Sequence, residues 1–125
     1  MQTLQYESAW NKTISQQDRT LVEETFKKAA LTADPIQFTP LRIDWNYKRE
    51  LLVIVIVHNT TESDYTFNQE KLSLKLHDIT LAEHTFTIPN LLVKAKTSMP
   101  WTFIFPVGSY QENSNIKDGR LEITR

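Results

Sequence analysis

The spacing of hydrophobic residues along this chain changes once, from a helical period to the two-residue period of a strand, and this change limits which folds the chain can adopt. Residues 15–30 carry apolar side chains at helical spacing, whereas residues 41–47 alternate strictly between apolar and polar positions. Strict alternation is typical of an antiparallel strand with one buried face. Residues 71–77 and 120–124 alternate in the same way. We therefore expect a mainly β fold with one α-helix at the N-terminus.

The predicted helix covers residues 15–30. Ser15 is a suitable N-cap with the acidic Asp18 three residues later, and Val22 and Phe26 begin an apolar stripe that Ala29 and Ala30 extend. The opposite face is charged and should contact water. The helix should end before residue 35, because that proline disfavours helical geometry in the residue before it.

The remaining residues predict six to eight short strands with a turn signal roughly every ten residues, a spacing typical of β-sandwiches. Residues 51–57 are apolar on both faces and predict a central strand. Residues 78–80 and the Asp118-Gly119 pair predict turns, and Pro89-Asn90 predicts a strand break. We expect one domain over residues 1–125, with an immunoglobulin-like antiparallel sandwich over residues 36–125. Closure into a barrel is the alternative.

The central strand raises the question of what covers its second face. If its odd side chains point into the sandwich core, then Leu52, Ile54 and Ile56 need another partner. The apolar stripe of the helix is one candidate cover, and a homodimer interface is the other.

Composition excludes several function classes. The chain has no cysteine and two separated glycines, which excludes disulfides, cysteine metal sites and phosphate-binding glycine loops. Its net charge of −1 gives no basic surface for nucleic acid. The longest apolar run is too short to span a bilayer, and the first residues lack a signal-peptide pattern. These observations predict a cytoplasmic protein without a membrane span.

No catalytic or metal-binding motif emerges from the titratable residues. The three histidines, His58, His77 and His84, do not share a metal-ligand spacing. Acidic residues near predicted turns are typical of solvated loops, although paired loop carboxylates could serve a hydrolase. We therefore predict no enzyme, no metal and no cofactor.

Aromatic residues are the remaining candidates for a binding surface. Trp45 and Tyr47 share one face of a predicted strand, and Trp101, Phe103 and Phe105 share a face of another. Such strips can fill a core, anchor a protein partner or stack on sugar rings. Core packing is the expected role of Phe103 and Phe105, whereas Trp101 follows Pro100 near the start of its strand.

The block at residues 97–106, Thr-Ser-Met-Pro-Trp-Thr-Phe-Ile-Phe-Pro, resembles the signature of the SLAP-type domain. Residues 50–59, 72–78 and 81–86 resemble the central strand and hairpin of that domain, although the hairpin lacks an expected glycine. SLAP-type domains occur in Gram-positive proteins associated with S-layer assembly and an accessory Sec export system. The resemblance implies a non-enzymatic interaction module.

These observations predict docking to a protein partner. The predicted contact residues are Trp101, Met99 and Pro100, together with an aromatic edge of Trp45 and Tyr47. An unpaired sheet edge that accepts a partner strand is a further route to the same function. The alternative is a carbohydrate-binding module that stacks the same aromatic side chains on glycan rings.

Overall fold

The computed structural model describes residues 2–124. Its elements are, in chain order, β1 (Thr3–Leu4), α1 (Ser8–Thr13), α2 (Gln16–Lys28), β2 (Ile36–Trp45), β3 (Leu51–Asn59), β4 (Tyr65–Leu76), β5 (Ile79–Val93), β6 (Thr97–Phe105), a 3-10 helix (Ile116–Asp118) and β7 (Arg120–Ile123). Strands dominate, so the mainly β prediction is confirmed.

The strands form two separate sheets around one core. The first has the order β1-β6-β3-β2 and the second β5-β4-β7. All neighbours are antiparallel except β1 and β6. The Phe67 ring of β4 lies 5.5 Å from the Phe103 ring of β6, and Phe86 of β5 lies 5.1 Å from Phe105. The inner faces of the two sheets therefore contact each other, which favours the predicted sandwich over the barrel.

The prediction of a central strand at residues 51–57 is confirmed, because β3 lies between β2 and β6. Val22 of α2, Leu41 of β2 and Ile54 of β3 line one small cavity on the outer face of this sheet. Ile56 is fully buried, whereas Leu52 and Ile54 are half-buried. The helix thus covers part of the outer face, as predicted, and the homodimer stays a prediction.

The N-terminal part contains two helices, so the prediction of one is wrong. The backbone N–H of Asp18 donates to Ser15 Oγ at 3.0 Å, which confirms the predicted cap of α2. The helix ends at Lys28, two residues before the predicted boundary. The shorter α1 is capped by Glu7, whose carboxylate accepts from the Ala9 N–H at 2.7 Å. Neither helix, nor any other in residues 2–124, has the length and apolarity to cross a bilayer.

Two strand boundaries differ from the prediction. β2 ends at Trp45, so Tyr47 lies in the following turn and the two aromatics do not share a strand face. β5 continues through Pro89 and Asn90, where a break was predicted. A proline is tolerated there because β5 is an edge strand and its register with β4 shifts between Ile88 and Leu92.

The β4–β5 hairpin turns at His77 and Asp78 rather than at residues 78–80, with Leu76 paired to Ile79. His77 has a φ of 55°, in the left-handed region that usually favours glycine. The histidine therefore adopts the left-handed conformation itself, and the hairpin closes without the glycine that the resemblance suggests in this turn.

Candidate functional site

The five residues predicted to bind a partner do not present one exposed surface. Met99 is 7% exposed and belongs to the core, Pro100 is also buried, and Trp101 is half-buried against the core. Trp45 is half-buried too, whereas Tyr47 is 90% exposed in its turn. Met99 and Pro100 therefore do not supply the exposed apolar surface expected beside Trp101, and partner binding through these five residues stays a prediction.

The backbone of β6 offers a different surface, because this strand is paired along its whole length on only one side. Its partner β3 follows it from Thr97 to Phe105 without a register shift. On the other side β1 pairs with Thr97 and Ser98, and Gln5, the residue after β1, still bonds to the Ser98 carbonyl. Within the described residues, the segment from Pro100 to Phe105 thus has no neighbouring strand on the β1 side.

The positions of the unpaired backbone groups follow from the alternation of a strand. The N–H of Thr3 donates to the Lys96 carbonyl at 3.0 Å, and the N–H of Gln5 donates to the Ser98 carbonyl at 2.9 Å. Even-numbered residues of β6 therefore direct their backbone groups toward β1, and odd-numbered residues direct theirs toward β3. Thr102 and Ile104 lie beyond the end of β1, so their N–H and carbonyl groups face an open edge.

Pro100 fits the same alternation. It is an even-numbered residue of β6, so its missing N–H falls on the open side and removes no hydrogen bond to β3. The signature block at residues 97–106 therefore combines a continuous β3–β6 pairing with a proline that the open edge tolerates. The sequence singled out this block for its tryptophan, but it is the backbone of the block that forms the open edge.

Beyond Pro100, the open segment of β6 lacks the features that protect the other edges. Natural sheet edges discourage pairing with charges, prolines, bulges or covering loops. Among the other outer strands, β2 has a bulge and the exposed Arg42 and Asp44. β7 carries the exposed Arg120 and Glu122. On β5, the Glu83 N–H donates to the carbonyl of Ser109, so a loop covers this edge. Residues 97–108 contain no charged side chain. The β6 edge is therefore the one best suited to accept a strand.

The side chains beside the open segment are neutral and largely apolar. Trp101 lies on the inner face of β6 and packs on the core, whereas Ile104 lies on the outer face and is 45% exposed. A strand added at this edge would cover the exposed parts of both side chains. The site can thus recognise an extended segment through backbone hydrogen bonds and apolar contact.

A buried polar network holds the start of β6 in place. The Nδ1 atom of His58 lies 2.6 Å from Ser98 Oγ, and its Nε2 atom lies 2.7 Å from Thr39 Oγ1. The Gln2 side chain donates to the same Ser98 hydroxyl at 3.1 Å. Burial lowers the pKa of His58 from 6.5 to about 4, so the ring is neutral at pH 7. The network joins β2, β3 and β6 to the segment that contains β1.

A second candidate site is an open cleft of about 430 Å³ beside Trp45. Arg49, Glu112, Asn113 and Ser114 complete its lining. Arg49 pairs with Glu112 at 3.0 Å, and Lys117 Nζ lies 5.9 Å from the centre of the Trp45 ring. An aromatic ring surrounded by polar side chains is a suitable surface for a sugar.

Sequence reasoning singled out the segment of β6 that contains this edge but did not point to Thr102 and Ile104. These two residues have no unusual side-chain chemistry, and their backbone groups face an open edge only because β1 is short. The signals available in the sequence were the lack of charge over residues 97–108 and the proline at position 100. His58, expected to be an ordinary strand histidine, lies in β3 and packs within the network described above.

The comparisons with known proteins give one match. A family model of the SLAP domain matches residues 4–123, which is nearly the whole chain. Neither the curated proteins nor the solved structures provide a match. The match agrees with the resemblance drawn from residues 97–106.

Proposed function

We propose, since this chain belongs to the SLAP domain family, that it is a non-enzymatic protein-interaction module that binds an extended protein segment along the free edge of β6. The family is S-layer-associated. In the finer form of the proposal, the module acts in the cytoplasm during S-layer protein assembly or accessory Sec export. Its scaffold is an immunoglobulin-like sandwich, supported by the four-stranded and three-stranded sheets.

The observation that carries this proposal is the unpaired, uncharged segment of β6 beyond Met99. Strand addition needs free N–H and carbonyl groups at regular spacing, and the alternation of β6 supplies them at Thr102 and Ile104. A non-enzymatic role is supported by the burial of His58 and Ser98. This pair has the spacing of a base and a nucleophile, but both side chains are fully buried in a structural network.

The direct test is Thr102→Pro, which removes an N–H from the open edge and leaves the odd-numbered hydrogen bonds to β3 in place. The matched control is Thr102→Val, which changes the same side chain and keeps the N–H. We expect proteins that co-elute with the wild-type chain from native lysate to co-elute with Thr102→Val. Their yield with Thr102→Pro should fall about tenfold, the effect of losing a contact worth roughly 1.4 kcal/mol.

Circular dichroism and thermal melting of each variant establish that the fold is retained before capture is compared. Equal capture by folded Thr102→Pro and Thr102→Val would show that the edge is not the docking surface.

The second candidate function is carbohydrate binding at the Trp45 cleft, favoured by its aromatic and polar lining. If this function is correct, bacterial wall glycan fragments should produce a saturable change in tryptophan fluorescence. Asn113→Ala should weaken the response, whereas Asn90→Ala, at an exposed site in β5, should leave it unchanged. A titration without response to any fragment removes this candidate.

A further inference from the structure

We propose that the cavity between the C-terminal end of α2 and the strands β2 and β7 is a binding site for a phosphate group. Thr39 supplies a hydroxyl donor to the ligand, and Lys28 and Arg120 supply positive charge. The cavity has a volume of about 340 Å³. It lies at β2, whereas the β6 edge lies at the other end of the same sheet, so this inference does not rest on the strand-binding proposal.

The two cations that line the cavity have no acidic partner. Lys28 ends α2 and Arg120 begins β7. None of the ion pairs within residues 2–124 includes either side chain, and no acidic residue lines the cavity. Arg120 lies opposite Lys75 in the β4–β7 pair, and the Lys75 ammonium is already 3.3 Å from a carboxylate oxygen of Glu122. The facing strand thus gives Arg120 a like charge and no partner.

The charge of these side chains outweighs the field of the helix end. The C-terminus of a helix acts as roughly half a negative elementary charge. Lys28 and Arg120 each contribute a full positive charge. Phe38 and Pro40 also line the cavity, and such apolar walls focus the field of nearby charges. The cavity therefore attracts an anion.

The buried network at His58 determines where the Thr39 hydroxyl donates. Ser98 is fully buried, and its Oγ has two partners, the Gln2 side-chain amide, which donates to it at 3.1 Å, and His58 Nδ1 at 2.6 Å. Because the amide is itself a donor, the Ser98 proton goes to Nδ1. The neutral ring then carries its proton on Nε2, which donates to Thr39 Oγ1 at 2.7 Å.

This tautomer leaves the Thr39 proton available to a ligand. Within residues 2–124 the Thr39 hydroxyl has His58 as its one hydrogen-bond partner, and the half-buried Thr39 lines the cavity. The opposite tautomer would leave the proton of fully buried Ser98 without an acceptor, which costs more at a position closed to water. An acceptor in the cavity therefore completes a chain of donors that begins at Gln2.

A phosphate group suits these donors better than a carboxylate does. A phosphate monoester carries about 1.5 to 2 negative charges at pH 7, enough to balance both cations. A guanidinium can bind two of its oxygens at once, and a third oxygen remains for the ammonium and the hydroxyl. A carboxylate carries a single charge on two oxygens.

Titration of the full chain with inorganic phosphate, followed by ¹H–¹⁵N NMR, tests the site. Phosphate should cause saturable shifts at the backbone amides of Lys28, Thr39 and Arg120 and at the Nε2 atom of His58. Acetate and chloride at matched ionic strength should cause much smaller shifts. Before phosphate is added, the Nδ1 atom of His58 should have the ¹⁵N shift of an unprotonated ring nitrogen and Nε2 that of a protonated one.

Variants separate the site from general charge effects. Lys28→Gln and Arg120→Gln should each weaken phosphate binding about tenfold, the effect of losing one charge-assisted hydrogen bond. The matched control is Lys27→Gln, which removes the same charge from the last turn of α2 at a residue that does not line the cavity, and it should change the affinity far less. Thr39→Val should also weaken binding, whereas Thr39→Ser keeps the hydroxyl and should retain it.

A wild-type chain without a saturable response to phosphate would overturn the inference, as would shifts that chloride reproduces at the same ionic strength. Equal losses in Lys27→Gln and Lys28→Gln would show a diffuse charge effect and no site. A His58 ring protonated on Nδ1 would also contradict the proposal, because the Thr39 hydroxyl would then donate to the ring. None of these measurements involves the β6 edge, so their failure leaves the strand-binding proposal to its own test.

Discussion

His58 is the residue whose environment makes the strongest prediction about stability. Its imidazole is fully buried and both ring nitrogens have hydroxyl partners, in Ser98 and Thr39. Burial lowers the folded pKa from 6.5 to about 4. The unfolded chain therefore binds a proton that the folded chain excludes between these pH values. The free energy of unfolding should be highest above about pH 6.5. It should fall by about 3 kcal/mol as the pH is lowered toward 4.

Urea unfolding between pH 7 and 4 measures this effect. His58→Gln removes the titrating group and should flatten the dependence, whereas His84→Gln, at a half-buried position on β5, should retain it. If His58→Gln shows the same loss of stability with pH as the wild type, the buried ring is not its source.

Single residues also show where sequence reasoning succeeds. Ser15 and Asp18 identified the start of α2, because a helix cap depends on a few neighbouring residues. The prediction for Tyr47 was wrong, because alternation cannot tell the last residue of a strand from the first of a turn. The backbone of the following turn is fixed by Asn46, whose side-chain oxygen accepts from the N–H groups of Lys48 and Glu50.

At the scale of elements, α2 stabilises the first sheet by covering part of its outer face. Val22 and the adjacent Leu21 both line the cavity that Leu41 and Ile54 share, but Val22 is 2% exposed whereas Leu21 is 40% exposed. Val22→Ala should lower the free energy of unfolding by about 1–3 kcal/mol, because the removed methyl groups leave a cavity. Leu21→Ala provides the matched control and should cost less. Equal losses in urea unfolding would contradict the packing described for α2.

The elements missed in the sequence are short or depend on distant residues. α1 has six residues and β1 has two, too few for a hydrophobic period to be recognised. β1 exists because Lys96 and Ser98, far along the chain, accept the hydrogen bonds of Thr3 and of Gln5, the residue after β1. β5 passes through Pro89 because it lies at a sheet edge, and strand order cannot be deduced from local pattern.

At the scale of the whole molecule, the sequence predicted the mainly β class, the central strand and the helical cover. It did not predict which edge stays open. That property depends on three separate facts, namely that β1 is short, that the segment after β6 crosses to β5 and that β6 itself carries no charge. Only the last of these can be recognised from the residues alone.

Amide hydrogen exchange along β6 tests the central claim most directly. In dilute protein the N–H groups of Thr102 and Ile104 should exchange rapidly, whereas those of Trp101 and Phe103, which point toward β3, should be protected. Once the edge is occupied in a captured complex, Thr102 and Ile104 should become protected as well. Uniform protection of all four amides in dilute protein, or no slowing at Thr102 and Ile104 in the assembled state, would contradict the account.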